Sequence, residues 1–296
     1  MSFRCGYVAI IGRPNVGKST LMNHIIGQKI SITSRKPQTT RHSITGVKTM
    51  DEVQILYVDT PGLHTKATRA MNRYMNQTAL STLSDVDVIA WLVNPGVWTD
   101  DESLILKSLK SIKTPVILVI NKIDELADKE KLLPEIEALS DKRDFAEVVP
   151  LSAKKNTNID SFEKAVCDYL PESPPLFPDD QLTDRSSRFL AAEIVREKIM
   201  RRVGKEIPYA LTVEIEDFRE ENGTTHIHAL IWVERDGQKA IVVGQRGNVL
   251  KEVGQAARRD MESLFGCKIY LKLWVKVKRG WSDNVRALQS LGYGDQ

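Results

Sequence analysis

The residues Gly12-Arg13-Pro14-Asn15-Val16-Gly17-Lys18-Ser19-Thr20 have the spacing of a phosphate cradle. They follow an apolar run, Tyr7–Ile11, and open a helical stretch, the strand–loop–helix setting that phosphate binding needs. Gly12 and Gly17 let backbone N–H groups curl round a β-phosphate. The Lys18 ammonium reaches β- and γ-oxygens, and the Ser19 hydroxyl is a ligand for Mg2+. Asp59-Thr60-Pro61-Gly62 ends a second apolar run, where a carboxylate holds Mg2+ through water and the Gly62 N–H faces a γ-phosphate. Asn121-Lys122-Ile123-Asp124 ends a third. Its Asp124 can accept from the N1–H and N2 amino edge of guanine, which adenine lacks, while Asn121 braces the loops and the Lys122 stem lies on the base. Ser152-Ala153-Lys154 follows a fourth run and places the Ala153 N–H near guanine O6. Each of the last three is ordinary turn chemistry in isolation. Together, in this order and each at a strand's end, they specify a guanine-nucleotide site.

Such loops need a scaffold that ends several buried strands at one edge. Tyr7–Ile11, Val53–Val58, Val86–Val93, Pro115–Ile120 and Glu147–Pro150 are mostly apolar throughout, the pattern of strands covered on both faces. Helical segments alternate with them at Ser19–Ile26, Met71–Leu83, Glu102–Lys110, Lys129–Leu139 and Ile159–Tyr169. The alternation predicts a doubly wound α/β domain with a mostly parallel sheet over residues 1–170. Residues 171–184 hold four prolines and four acidic side chains, a density that no helix or sheet interior tolerates, and read as a linker.

A different pattern occupies residues 185–296. Ser186–Val203 carries a helical stripe at Leu190, Ile194, Val195, Ile199 and Val203. Ala210–Phe218 and Thr225–Glu234 alternate on either side of Asn222-Gly223, a hairpin signal. Asn248–Phe265 is helical, Lys268–Lys278 alternates as a strand, and Trp281–Leu291 reads as a last helix. Gly244-Gln245-Arg246-Gly247 has the form of a GxxG loop feeding a helix, where glycines admit a sugar-phosphate chain and the helix N-terminus attracts phosphate. With Lys251 and Arg258 beyond it, this loop is the candidate RNA contact, and residues 244–279 hold nine Lys/Arg against three Asp/Glu. The order of elements fits an α+β type II KH domain. Lys239–Val243 favours strand by propensity, but that order requires helix there.

At 296 residues, with 42% hydrophobic and 27% charged side chains, the chain has the size of two packed domains and not the composition of a disordered one. Net charge is +3, unevenly placed: residues 1–184 carry 22 basic and 24 acidic groups, residues 185–296 carry 20 and 15. The second part is thus the one suited to a polyanion. Cys5, Cys167 and Cys267 are scattered, which argues against a disulfide framework or zinc site and for a reducing cytosol. No signal peptide or membrane-spanning run is visible.

The four nucleotide motifs resemble those of the Ras-like translation-factor superfamily of P-loop GTPases. In that superfamily a threonine closes over Mg2+ and the γ-phosphate; here the segment Ser31–Thr45 offers Thr39 and Thr40, and spacing does not choose between them. Nearly the whole chain resembles the Era family of bacterial GTPases. The resemblance rests on GRPNVGKST (12–20), GQKISITSRKPQTTRH (27–42), YVDTPGLH (57–64), NKID, SAK, TDRSSRF (183–189), the GxxG region and LWVKVKRGW (273–281). It implies GTP hydrolysis with Mg2+, binding to the 3′ end of 16S ribosomal RNA, and a role in maturation of the small (30S) ribosomal subunit. It further implies a cytoplasmic protein with partial peripheral association with the inner membrane. A tRNA-modifying GTPase would need further catalytic machinery, for which residues 185–296 offer no candidate. The catalytic candidates are Asn15, Thr39, Thr40 and Gly62. Where Ras-type enzymes carry a water-orienting glutamine, this chain has Leu63. GTPases with an Asn at the place of Asn15 and a hydrophobic residue after DxxG use K+ between the phosphates, and the Era family resembles them, so the resemblance implies K+ beside Mg2+.

Overall fold

The computed structural model describes residues 2–34, 36, 39–63, 70–126, 130, 132–203, 211–291 and 293. Gln38, His64, Lys129 and Ala210, which belong to expected segments, lie outside them. The chain forms two compact units. Met1–Ser31, Thr40–Ala67 and Met75–Asp184 make the first; Ile32–Thr39, Thr68–Tyr74 and Arg185–Gln296 make the second.

Strands β1 (Arg4–Ile11), β2 (Ile44–Met50), β3 (Val53–Asp59), β4 (Val88–Val93), β5 (Val116–Asn121) and β6 (Glu147–Leu151) form one sheet, in the order β2-β3-β1-β4-β5-β6. All neighbours are parallel except β2, which runs antiparallel to β3. Every residue of β4 and β5 is buried, as central strands covered by helices must be. Helices α1 (Lys18–Ile26), α2 (Ala70–Ser81), α3 (Asp100–Leu109), α4 (Leu132–Ser140) and α5 (Ile159–Tyr169) alternate with these strands along the chain. The expected elements form, with shifted ends. Strand β2 is an addition: its burial is partial, and Ile44 and Val47 are too few to announce a buried strand.

The proline-rich stretch 171–184 is laid along this first unit. Glu172 bridges to Arg4 and Thr183 to Gly46. The buried Gln54 Oε1 accepts from the backbone N–H groups of Leu176 (2.7 Å) and Phe177 (2.9 Å). Proline removes donors from this stretch, so a side-chain amide and short bridges hold it instead of a ladder.

In the second unit α6 (Ser187–Arg202), β7 (Leu211–Glu221), β8 (Thr224–Val233), α7 (Asp236–Val243), α8 (Asn248–Phe265) and β9 (Lys268–Val277) follow in order. The sheet order is β7-β8-β9, antiparallel then parallel. Asn222 (φ 52°) and Gly223 (φ 71°) form a two-residue turn with both residues left-handed, the geometry that suits a twisted hairpin. Inward residues of the sheet, including Ile227, Ile231 and Val275, share one core with Ile194, Val195 and Ile199 of α6 and Val253, Ala257 and Met261 of α8. Residues 239–243 are helical, so packing overrides strand propensity there. The expected last helix is corrected: it breaks into a turn at Trp281–Asp283 and α9 (Val285–Ser290), because the Asn284 side chain accepts from Ala287 N and starts a new helix. Among the described residues no helix is long and apolar enough to cross a membrane.

Candidate functional site

The phosphate loop is set by close contacts that only glycine permits. Gly17 (φ 109°) caps α1, and a Cβ there would lie 2.2 Å from Asn121 Nδ2. Gly62 lies against Pro14, whose backbone N is 2.8 Å from the position a Cβ would take. Arg13 directs its side chain to the buried Glu102 of α3, with Nε 2.5 Å from Oε1, so only its backbone serves the loop. Thr20 continues α1, and Asn15 adopts φ 64° at the exposed tip. Lys18 is buried and donates to the carbonyls of Gly12 (2.9 Å) and Arg13 (3.1 Å). Burial lowers its pKa to about 8, with Asp59 pulling the other way. An ammonium so desolvated gains from a phosphate's charge.

Asp59, at the end of β3, is fully buried, and burial pushes its carboxyl up while Lys18, Ser19, Ser31 and Thr40 offset the rise. Oδ2 accepts from Ser19 Oγ (2.6 Å) and Ser31 Oγ (2.7 Å), and Thr40 Oγ1 stands 3.4 Å away. Ser19 Oγ and Thr40 Oγ1 are themselves 3.0 Å apart. Oδ1 of Asp59 is buried without a hydrogen-bond partner. A carboxylate with an orphaned oxygen beside two hydroxyls is a hard-oxygen set that fits Mg2+. Thr60 turns inward and donates to Ile10 O (2.9 Å), and Leu63 is 1% exposed in the core.

The base-side loops converge on Asn121. Its Nδ2 donates to Val16 O (2.7 Å), and its Oδ1 accepts from Lys122 N (2.8 Å) and Ala153 N (3.0 Å). The Ala153 N–H expected at guanine O6 is thus engaged by the brace, a link invisible in sequence. Lys122 is left-handed (φ 66°), as the sharp exit from β5 demands. Asp124 is exposed, and its Oδ1 accepts from Ser152 Oγ (2.5 Å), which orients the carboxylate; Lys154 is exposed.

The two threonines part company. Thr40 joins the Asp59 cluster. Thr39, in the second unit, donates from Oγ1 to Lys36 O (2.7 Å), and its carbonyl accepts from Arg196. Arg196 is clamped by Glu193 (Nε–Oε1 2.7 Å), and the buried Glu197 accepts from Thr33 N (3.0 Å). Sequence reasoning missed Glu193, Arg196 and Glu197. Charges at i, i+3 and i+4 on a helix look like a solvated face unless one knows what covers them. It also missed Ser31, and Asn23, whose Oδ1 accepts from Ile30 N and Ser31 N at 3.0 and 2.9 Å and so fixes the approach to Asp59.

In the second unit a groove of about 400 Å³ runs between α8 and β9, lined by Gly247, Lys251, Gly254, Arg258, Tyr270 and Leu273 among others. Gly244 (φ 74°) approaches Val249 so closely that a Cβ would lie 2.4 Å from Cγ2. Gln245 and Arg246 are exposed at the turn, and Arg246 is left-handed (φ 52°). Gly247, Lys251 and Arg258 line the groove; Gly244, Gln245 and Arg246 shape its end. A basic groove beside an open strand edge suits an unpaired nucleic-acid strand.

Fold and site define a P-loop GTPase unit followed by a KH unit. Residues 7–122 match the family described as 50S ribosome-binding GTPase, and residues 206–282 match the KH domain family. GTPase Era of Marinobacter nauticus is 60% identical over 292 residues, covering 99% of this chain and 96% of that protein. GTPase Era of Pseudomonas aeruginosa is 59% identical over the same shares, 99% and 96%. Among solved structures, Era in complex with MgGDPNP and nucleotides 1506–1542 of 16S ribosomal RNA superposes with TM-score 0.95 at 40% identity, covering 99% of this chain and 100% of that one. An Aquifex aeolicus Era variant bound to GDP·AlF4− gives 0.95 at 39% identity, with shares of 99% and 100%. The chain belongs to the Era family of GTPases.

Proposed function

We propose that this chain is a GTP-driven switch that holds the 3′ end of 16S ribosomal RNA in its KH groove and acts in assembly and rRNA maturation of the small (30S) subunit. The observation that carries this reading is the full-length likeness to an Era structure that contains both MgGDPNP and that RNA. The functional modules are residues 1–170 for nucleotide, 171–184 as connection and 185–296 for RNA. Residues 12–20 cradle the phosphates, Asp59–Gly62 senses the γ-phosphate, and Asn121, Lys122, Asp124 and Ser152–Lys154 select guanine. Ser19, Thr40 and Asp59 would hold Mg2+, which supplies charge neutralisation at the phosphates. Asn15 would help hold K+, which takes the task that an arginine finger performs elsewhere. Leu63 cannot orient water, so charge stabilisation by Lys18, Gly62 N–H and cations carries the rate. Gly244–Gly247, Lys251 and Arg258 take the RNA backbone. The cytoplasmic location and peripheral inner-membrane contact extend the family resemblance, and vesicle flotation with and without GTP tests the latter.

The deciding test is filter binding of the full chain to 16S nucleotides 1506–1542 across a salt series. The Gly247 Cβ position meets nothing within 4 Å, so Gly247→Asp introduces charge without a clash. Gly247→Asn is the uncharged control for the left-handed backbone. Steep salt dependence and a loss larger for Asp than for Asn are expected. Absent RNA affinity, or equal affinity in all three proteins, would sink the reading.

A further inference from the structure

Beyond Tyr270, the outward face of the three-stranded sheet carries chemistry that the groove does not use. Alternation along β9 buries Ile269 and Val275 and sends Lys268, Tyr270, Lys272, Trp274 and Lys276 outward, all of them exposed. Tyr270 is 44% and Trp274 41% exposed, large rings left open to water. Lys272 lies between them, its ammonium 5.8 Å from the Tyr270 ring and 5.9 Å from the Trp274 ring. Strand β8 adds His226, 5.0 Å from the Tyr270 ring, and His228, edge-on to Trp274 at 5.4 Å. Cation and ring therefore alternate at every second residue, and rings recur about 13 Å apart along the strand. The β7 side of the face is acidic: Glu214 accepts from Trp232 Nε1 (2.9 Å), Glu216 lies 3.7 Å from Lys276 and Asp217 3.7 Å from His228.

We propose that this strip is a second RNA platform, which takes unpaired nucleotides as they leave the groove. It rests on the RNA reading given above. Rings stack on any base and lysines neutralise phosphates, the pairing used by proteins that track a single strand. Tyr270 belongs to both the groove and the strip, so the track is continuous. The acidic β7 margin repels a polyanion and marks where the track ends. A protein partner is disfavoured, because lysines break up the apolar groups and lysine is depleted at protein interfaces.

The test uses the full chain and two single-stranded RNAs cut from 16S nucleotides 1506–1542. One is about six nucleotides long, enough for a groove that clamps about four, and the other is about twice that length. Trp274→Ala should weaken the longer RNA about tenfold and leave the shorter unchanged, and Trp274→Phe should restore most of the loss. Lys272→Gln with Lys276→Gln should lower the salt slope for the longer RNA by about 1.4, as expected for two lost phosphate contacts. Equal affinity of parent and Trp274→Ala for the longer RNA overturns the platform, as does an equal loss on both RNAs. Binding of a protein through this face with RNA affinity untouched would also overturn it. Gly247→Asp separates the two readings, since it weakens both RNAs if the groove is right and neither if the groove is wrong.

Discussion

Asn121→Ala tests whether the base loops and the phosphate loop are one braced object. The Asn121 side chain makes three hydrogen bonds, to Val16 O, Lys122 N and Ala153 N, and is 2% exposed. Val16 and Ala153 are themselves buried, so alanine leaves a carbonyl and an N–H without partners, each costing about 1–3 kcal/mol. Lys122 is half-buried, and water can repair its N–H. A loss of about 3 kcal/mol in the first unit is therefore expected. The assay is hydrogen exchange in β4 and β5 of the nucleotide-free chain, which reports that unit alone. GDP affinity should fall as well, because the loops are no longer pre-set. Gly17→Ala pushes on the same amide and should cost less in the Asn121→Ala background than in the parent. Protection within about 1 kcal/mol of the parent in Asn121→Ala would refute the brace.

Asp124→Asn should shift preference from GTP to XTP, whose C2 carbonyl accepts from the new amide; competition binding in which guanine is still favoured as in the parent would count against the assignment. Lys18 should take up a proton when nucleotide binds. Its folded pKa of about 8 lies below the ordinary 10.5, so its destabilisation of the nucleotide-free unit is full below pH 8 and is relieved as pH rises towards 10.5. Phosphate restores the charge, and calorimetry at pH 8 in buffers of different ionisation enthalpy should show roughly half a proton absorbed, falling away in Lys18→Ala. That variant should also lose about 2–3 kcal/mol of GDP and GTP binding. Turnover should be faster in K+ than in Na+ at equal ionic strength, with the difference abolished in Asn15→Ala; equal rates in both salts would leave the charge-stabilising group to be sought elsewhere.

The central strands were legible because β4 and β5 are apolar at almost every position, and the glycine, lysine and serine of the phosphate loop carry their chemistry in their types. Strand β2 was not, because an edge strand with a solvated face has no such run. Thr39 and Thr40 are identical in type and adjacent, so only tertiary contacts distinguish the one beside Asp59 from the one held by Lys36 and Arg196. Ser31 carries no local signal, since its partner Asp59 is 28 residues distant in sequence, and Asn23 acts only by holding the Ile30–Ser31 backbone in place. The stripe of α6 is legible as apolar, yet Glu193, Arg196 and Glu197 on the same helix are buried too, because Thr33 meets Glu197 and the Thr39 carbonyl meets Arg196. Periodicity records which residues avoid water in general, not which charges find partners from a distant segment.

The central claim is that nucleotide state and RNA binding are coupled. It is tested most directly by measuring the affinity of the full chain for 16S nucleotides 1506–1542 with GDP and with a non-hydrolysable GTP analogue. The account predicts tighter binding with the analogue and, by linkage, an equal factor by which RNA tightens the analogue relative to GDP. Identical RNA affinity in the two states would contradict it.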